Sequence, residues 1–375
     1  MPRDLVRRAA RRLRRTLTGT RPERSAPAPA PAPEPLPVLG YVVAGGGGAH
    51  PASAHVRVVR RVEHLARGGR AEVRQVDPQA FVDGADETPY RVLLVQRDIL
   101  PRDLVAPFLA AAAARGIRVA AEVDDDFFTD SGRARLARAE YDPDRLASID
   151  ALVRGADLVV VSTEELAAVV RPIARRVVVV RNALDPTIWT PGDAVVDDDL
   201  PADEHRVLYM GTLTHGADLE LLRDVFTDLR AWDGAPIRLE VIGVTEEPDD
   251  SAWYRWVEVP DGHYPAFARW LVDHRQRWRA GVAPLRDEEF NRAKSDLKAL
   301  EYTALGLPAV VSDRVSYRDA RAHGVVAVPD DAGAWRDAVR AAVDAGAADP
   351  VAARWVREER TIGDDGDAWR SALLD

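Results

Sequence analysis

Cysteine is absent from this 375-residue chain, which excludes disulfides and thiolate metal sites outright. Lysine is nearly absent: of 51 lysines and arginines only Lys294 and Lys298 are lysine, which leaves 49 arginines. Asparagine occurs twice, at Asn182 and Asn291, and isoleucine is scarce. No run of 18 uncharged apolar residues exists, so no segment reads as a membrane-spanning helix. The stretch "NRAKSDLKALEYTALGLPAVVSD", residues 291–313, therefore holds every lysine and one of the two asparagines. A chain that uses arginine almost everywhere else keeps lysine only there.

What is abundant points to a soluble globular protein. The chain is 46% hydrophobic and 30% charged, and its length suits two domains of ordinary size. The net charge of −10 divides unevenly: residues 1–24 carry nine Arg against Asp4 and Glu23, a net of +7, so the remainder carries −17. An acidic body argues against nucleic acid as a partner.

"MPRDLVRRAARRLRRTL" sets Leu5, Ala9, Leu13 and Leu17 on an apolar stripe flanked by arginines. It reads either as a basic amphipathic helix lying on an anionic membrane surface or as a solubilising tail. It lacks the apolar core of a secretory signal. "SAPAPAPAPEPLP" follows as a semi-rigid linker.

Beyond the linker, short valine-rich runs alternate with helical stretches. "VLGYVVAGGGG", "YRVLLVQRD", "IRVAAEVDDD", "DLVVVST" and "RRVVVVRNALD" read as buried strands, each separated from the next by helix. The alternation restarts after residue 203 with "HRVLYMG", "IRLEVIGV", "YRWVEVP", "WRAGVAPL", "PAVVSD" and "VVAVPDD". Strands without an alternating polar face, joined through helices, indicate parallel sheets covered on both sides. The expected fold class is α/β, with two Rossmann-like doubly wound domains facing a cleft behind a basic N-terminal helix and Pro/Ala linker. The expected boundaries are 1–24 for the basic segment, 25–38 for the linker, 39–190 and 191–355 for the two domains. Residues 356–375 form a C-terminal helix able to cross back to the first domain.

Ligands of such sheets bind beyond the carboxyl ends of the strands. One such end is "GTLTHGADL", where Gly211 permits close backbone approach, Thr212 and Thr214 offer hydroxyls, and His215 starts a helix; together they suit an anion. "EEFNRAKSDLKALEYTALG" reads as one helix ending at Gly306, with Lys294, Lys298 and Glu301 at i, i+4 and i+7 on one face. An ammonium, compact and without a planar fork, suits a crowded place beside a phosphate. Glu301 suits two hydrogen bonds from vicinal ribose hydroxyls. "EVDDDFF" puts Asp124, Asp125 and Asp126 after a strand of the first domain. They are candidates for holding acceptor hydroxyls or acting as a base, or else form an acidic turn. His50 and His55, after the glycine run, are weaker cleft candidates with a surface role expected. Four tryptophans between residues 253 and 278 read as core rather than as sugar platforms.

On these residues the chain resembles nucleotide-sugar glycosyltransferases of the GT-B fold, group-1 retaining type. "KALEYTALGLPAVVSD" is similar to the donor-ribose helix of that family, and the resemblance gives Glu301 the ribose. "VVVVRNALDPTIWTP" resembles the interdomain crossing, and "VLYMGTLTHGADLELL" the first strand and phosphate loop of the donor domain. "FNRAKSDLKALEY" resembles a subgroup associated with cell-surface polysaccharides. Two departures are plain: the family often has a second glutamate eight positions before the first, where this chain has Ala293, and residues 211–218 contain no Arg or Lys. Lys294 and Lys298 are expected to supply that missing charge.

The resemblance implies transfer of a sugar from a nucleoside diphosphate sugar to a glycan or lipid-linked acceptor, with no cofactor and no divalent metal. Asn182, Asn291, Gly211, Thr212, Thr214, His215, Lys294, Lys298 and Glu301 are the donor-binding candidates. The implied location is cytoplasmic, or peripheral at the inner face of the cell membrane through residues 1–24. The alternatives are an inactive nucleotide-sugar-binding scaffold for a partner transferase, and an epimerase on the same fold.

Overall fold

Among the described residues, twelve strands form two six-stranded sheets, every ladder of which is parallel. The computed structural model describes residues 35–46, 50–195, 201, 203–212, 215–245, 253–363 and 367–375. The basic segment 1–24 and residues 25–34 of the linker lie outside the described residues, and so does Thr214.

The first sheet contains β1 (Val38–Val42), β2 (Glu72–Gln75), β3 (Tyr90–Gln96), β4 (Arg118–Val123), β5 (Leu158–Val161) and β6 (Val177–Val179), in the order β2-β1-β3-β4-β5-β6. The second contains β7 (His205–Met210), β8 (Ile237–Ile242), β9 (Arg255–Trp256), β10 (Ala280–Ala283), β11 (Ala309–Ser312) and β12 (Val326–Val328), in the order β12-β11-β10-β7-β8-β9. Each sheet reverses direction of growth once, between β1 and β3 and between β7 and β10, and such switch points leave a crevice at the carboxyl ends.

The central strands are buried on both faces, as their unbroken apolar runs require. β2 is the strand that the valine-rich pattern does not reveal. It is an edge strand, "EVRQ", mostly exposed, and needs no apolar run. The last helix, Asp367–Leu373, lies against the first sheet, where Trp369, Leu373 and Leu374 join the core of Leu39, Val92 and Val160. Both sheets thus belong to one compact unit, Leu36–Asp375.

Two long helices expected from the sequence are broken. The stretch after residue 215 winds as Gly216–Leu219, a 3-10 turn Glu220–Leu222 and Arg223–Phe226. The expected helix over 288–306 is two helices, Glu289–Arg292 and Leu297–Ala304. The residues between them use their polar groups elsewhere: Ala293 O accepts from Thr163 Oγ1 at 3.0 Å, Ser295 Oγ accepts from Asn182 at 2.8 Å, and Asp296 binds Arg360. Side chains that offer the backbone and each other such alternatives interrupt helices.

The second of these helices ends as the sequence indicates. Gly306 takes φ +79°, Leu307 N donates to Tyr302 O at 3.0 Å and Gly306 N to Thr303 O at 3.0 Å. That pattern closes a helix on a left-handed glycine. Tyr302 lies over Gly281 of β10, and its hydroxyl donates to Val282 O at 3.0 Å and accepts from Met210 N at 3.3 Å. A Cβ at Gly281 would stand 2.4 Å from the Tyr302 ring. With its hydroxyl held at both sides the ring has nowhere to retreat, so Gly281→Ala is expected to cost about 1–3 kcal/mol. Urea denaturation measures this; unchanged stability would mean that the ring is free to move.

Candidate functional site

At the carboxyl end of β7 the backbone is tightly packed. Gly211 N donates to Ile242 O at 3.0 Å, and Gly243, at φ +73°, would place a Cβ 2.5 Å from Gly211 O. Thr212 is exposed there, and its carbonyl accepts from His215 N at 2.9 Å. His215 Nδ1 lies 3.0 Å from Asp218 Oδ2. Asp218 is fully buried and also accepts from Arg286 N at 3.0 Å, which ties the end of β7 to the end of β10 at the switch point. Burial alone would raise the pKa of Asp218, but the hydrogen bonds from His215 and Arg286 hold it below the ordinary value. His215 is moved down, first by burial and then by Lys294 and Lys298, against the pull of Asp218. A neutral imidazole donating from Nδ1 keeps Nε2 as an acceptor. Because the helix that follows is cut into short pieces, its dipole supplies little positive potential here.

The positive charge comes from the 293–304 stretch instead. Lys298 and Glu301 share a face of the Leu297–Ala304 helix at i, i+3. Lys294 stands in the break before it, not on the same helix as expected. Lys298 is partly buried and, among the described residues, has no carboxylate at ion-pair distance. Its pKa is pushed down by burial, with Glu301 opposing and Lys294 reinforcing the shift. Glu301 is 8% exposed and its carboxylate makes no hydrogen bond among the described residues; burial raises its pKa and Lys298 partly offsets this. A partly buried cation and a buried carboxylate, neither in a side-chain hydrogen bond among the described residues, are costly features for a helix to keep.

Across the crevice stand the aspartates after β4. Lys294 Nζ meets Asp125 Oδ1 at 2.8 Å, and its ammonium lies 4.9 Å from the Phe290 ring centre. Arg97, held at φ +48° just after β3, binds Asp124 through Nε and Asp125 through Nη2 at 3.2 Å. Burial would raise the Asp125 pKa, but Lys294 and Arg97 hold it below the ordinary carboxylate value. Burial works against the charge on Arg97, and the two aspartates more than restore it. Asp126 does something different. It is 1% exposed and its Oδ1 accepts from Phe128 N and Thr129 N, each at 3.0 Å, so it caps its own turn.

The asparagines stand behind the crevice rather than on it. Asn291 donates to Arg286 O at 3.0 Å and stands 3.4 Å from Asp218 Oδ1. Asn182 accepts from Arg57 Nη1 at 2.7 Å and donates to Ser295 Oγ at 2.8 Å, which places it between the sheets. His50 and His55 are 5% and 0% exposed, not at the surface as expected. The helical run that begins at Ala52 reaches the core of the second domain, where Val56 packs and the His55 ring lies 5.2 Å from Tyr264. Of the four tryptophans, Trp278 is buried and Trp253, Trp256 and Trp270 are partly buried, with Trp270 stacked on His274 at 4.5 Å.

Ala293 explains one departure in physical terms. It is 3% exposed and packs into the core of the first sheet, beside Phe127. A carboxylate at this position would be buried among apolar groups, which is unfavourable. Arg97, Arg286, Asp296 and Arg360 carry no sequence signal of their own in this arginine- and aspartate-rich chain. Asp218, three residues after His215, is the one that spacing offers.

No family model matches the chain, and no curated protein matches it. Solved structures do. Those similar to it include AviGT4, a glycosyltransferase involved in avilamycin A biosynthesis, at 13% identity over 91% of this chain and 99% of that one, with a TM-score of 0.56. HepE of Anabaena, solved in complex with UDP, is 10% identical over 87% of this chain and 96% of that one, at a TM-score of 0.54. A putative UDP-N-acetylglucosamine 2-epimerase from Listeria monocytogenes is 10% identical over 90% and 95%, at 0.52. The chain spans 59% of the chain matched in the GtfA/B complex and 55% of the pneumococcal O-GlcNAc transferase GtfA. At these identities the likeness establishes the architecture: two Rossmann-like domains in the GT-B arrangement.

Proposed function

We propose that this chain is a glycosyltransferase that moves a sugar from a nucleoside diphosphate sugar to a glycan or lipid-linked acceptor. One observation carries the reading: Lys298 and Glu301 share one helix face, one turn apart, with neither charge in a side-chain hydrogen bond among the described residues, and the Lys298 charge reaches His215 at the switch point of the second sheet. Such a pair is matched by a ligand with an anionic diphosphate and a hydroxyl-bearing ribose close together. The architecture shared with AviGT4, and with HepE bound to UDP, agrees with that ligand class.

In the reaction the bond between the anomeric carbon and the diphosphate oxygen breaks, and the electron pair leaves with the diphosphate. Lys298 and Lys294 stabilise the charge that develops on it. The acceptor hydroxyl oxygen forms the new bond to the anomeric carbon, and its proton passes to an oxygen of the departing diphosphate. Asp124 and Asp125 face this place from the first sheet. With its pKa held low, Asp125 is better suited to orienting the acceptor hydroxyl than to removing its proton. Lysines perform the charge-neutralising task here, so the reaction is proposed to need no divalent metal.

Incubation with pooled nucleotide sugars and acceptors tests this, with release of nucleoside diphosphate as the readout. Transfer should persist in EDTA within a factor of about two; a loss of tenfold or more would give the aspartates a metal-binding role. Isomerised donor without transfer would favour an epimerase. Nucleotide binding with neither reaction would favour the scaffold.

A further inference from the structure

Both passages of the chain between the sheets meet at one buried ion pair. Arg360 follows the helix Pro350–Glu359 and donates from Nη1 to Asp296 Oδ2 at 2.6 Å and from Nη2 to Asp296 Oδ1 at 2.7 Å. The two side chains are 6% and 8% exposed. The same guanidinium donates from Nε and Nη2 to Asn182 O at 3.1 and 3.0 Å, on the segment leading from β6 towards the second sheet. Its main chain is engaged too: Leu184 N donates to Arg360 O at 2.8 Å and Ile362 N to Leu184 O at 2.8 Å. The first passage, near residue 182, and the second, near residue 361, are thereby bonded side by side, and a single fork ties both to Asp296.

Asp296 stands immediately before the helix of Lys298 and Glu301, where an aspartate ordinarily accepts a hydrogen bond from the first free N–H groups of its helix. Here it makes no such bond. Both of its oxygens are given to Arg360 instead. The cap is forgone, and the start of the donor helix is tied to the interdomain crossings.

We propose that Asp296 and Arg360 are positioning residues: a clamp that fixes the helix carrying Lys298 and Glu301 against the two crossings, and so against the aspartates of the first sheet. This rests on the glycosyl-transfer reading for its consequence on turnover, though not for its consequence on geometry. The nucleotide-binding face lies within the second domain, where Tyr302 and Leu300 hold the helix from its other side. Loosening the clamp therefore alters how donor and acceptor halves meet, while nucleotide binding is kept.

The test uses Asp296→Asn, which removes the charge that Arg360 grips, and Arg360→Lys, which keeps the charge but loses the two-pronged contact. Because the chain contains no cysteine, Asp103→Cys and Asp337→Cys, at exposed positions of the first and second domains, attach one label to each. Both clamp variants should broaden the label-to-label distance distribution. They should lower turnover at least tenfold while UDP and GDP affinity stays within about threefold of the parent. A lowered melting temperature with unchanged distances and turnover would overturn the proposal, since the pair would then serve stability alone. Loss of nucleotide affinity with unchanged distances would also overturn it. If the parent protein shows no transfer with any donor, the glycosyl-transfer reading fails while the distance measurement still decides the clamp. Should Asp296→Asn not fold, Arg360→Lys carries the test.

Discussion

Lys298→Met is expected to raise the melting temperature by roughly 2 °C and, in the same protein, to weaken UDP or GDP binding tenfold to a hundredfold. The two effects share one cause. Burial lowers the Lys298 pKa below that of the unfolded chain, and Glu301 only partly opposes the shift. Between the folded and unfolded values the unfolded chain holds more protons, so stability rises with pH across that window. Below that window the partly buried ammonium is a net cost that a methionine of similar length removes. A bound diphosphate supplies the missing partner, and a charge-assisted hydrogen bond of this kind is worth about 1.5–3 kcal/mol. Glu301→Gln should behave in parallel on the ribose side. Its folded pKa is raised, so stability is lost as pH rises from the unfolded value through the folded one, and a neutral amide relieves that loss. Calorimetric titration with UDP and GDP, together with thermal melting, reads both quantities. A Lys298→Met protein with parental nucleotide affinity would place the phosphates elsewhere. Lys298→Arg keeps the charge but widens it into a planar fork, and is also expected to bind poorly.

The second large effect concerns Asp125 and has the opposite sign. In the free protein Asp125 occupies Lys294 at 2.8 Å, with Arg97 holding the same carboxylate at 3.2 Å. A diphosphate that takes Lys294 must first displace a charged partner. Asp125→Asn leaves a neutral acceptor of nearly the same shape, and the weaker competition should strengthen UDP or GDP binding about tenfold, on the order of 1.4 kcal/mol. Transfer should fall, because the acceptor hydroxyl loses its charged partner. Tighter binding with slower turnover is the pattern to look for. Weaker nucleotide binding in Asp125→Asn would mean that the aspartate helps to hold the donor and does not compete with it. The pair should persist across the neutral range, since the pKa of Asp125 is held low and the contact is lost only as pH falls through that lowered value.

The sequence by itself determined the architecture and singled out the helix proposed to hold the donor. Runs such as "YRVLLVQ" and "RVAAEV" have no polar face, and a strand without one must be covered on both sides, which leaves parallel sheets clothed in helices. Restriction of lysine to positions 294 and 298, seven and three positions before Glu301, singled out this stretch of the second domain, because composition is a property of the chain alone. The tertiary structure decided what those residues face. Periodicity continued the helix through Ala293–Asp296, but the hydrogen bonds that interrupt it come from Thr163, Asn182 and Arg360, 64 to 130 positions away in the chain. The three aspartates of "VDDDFF" are identical as letters; one caps its own turn and two face a lysine and an arginine, because successive residues leaving a strand point in different directions. Asn182 and Asn291 were conspicuous for their rarity, yet they stand behind the crevice, where Asn182 links Arg57 to Ser295 and Asn291 donates to Arg286 O. Local pattern reports which face of a strand or helix is apolar. Which charged group meets which across a crevice depends on how two separately folded sheets approach, and that information is held in no local stretch of the chain.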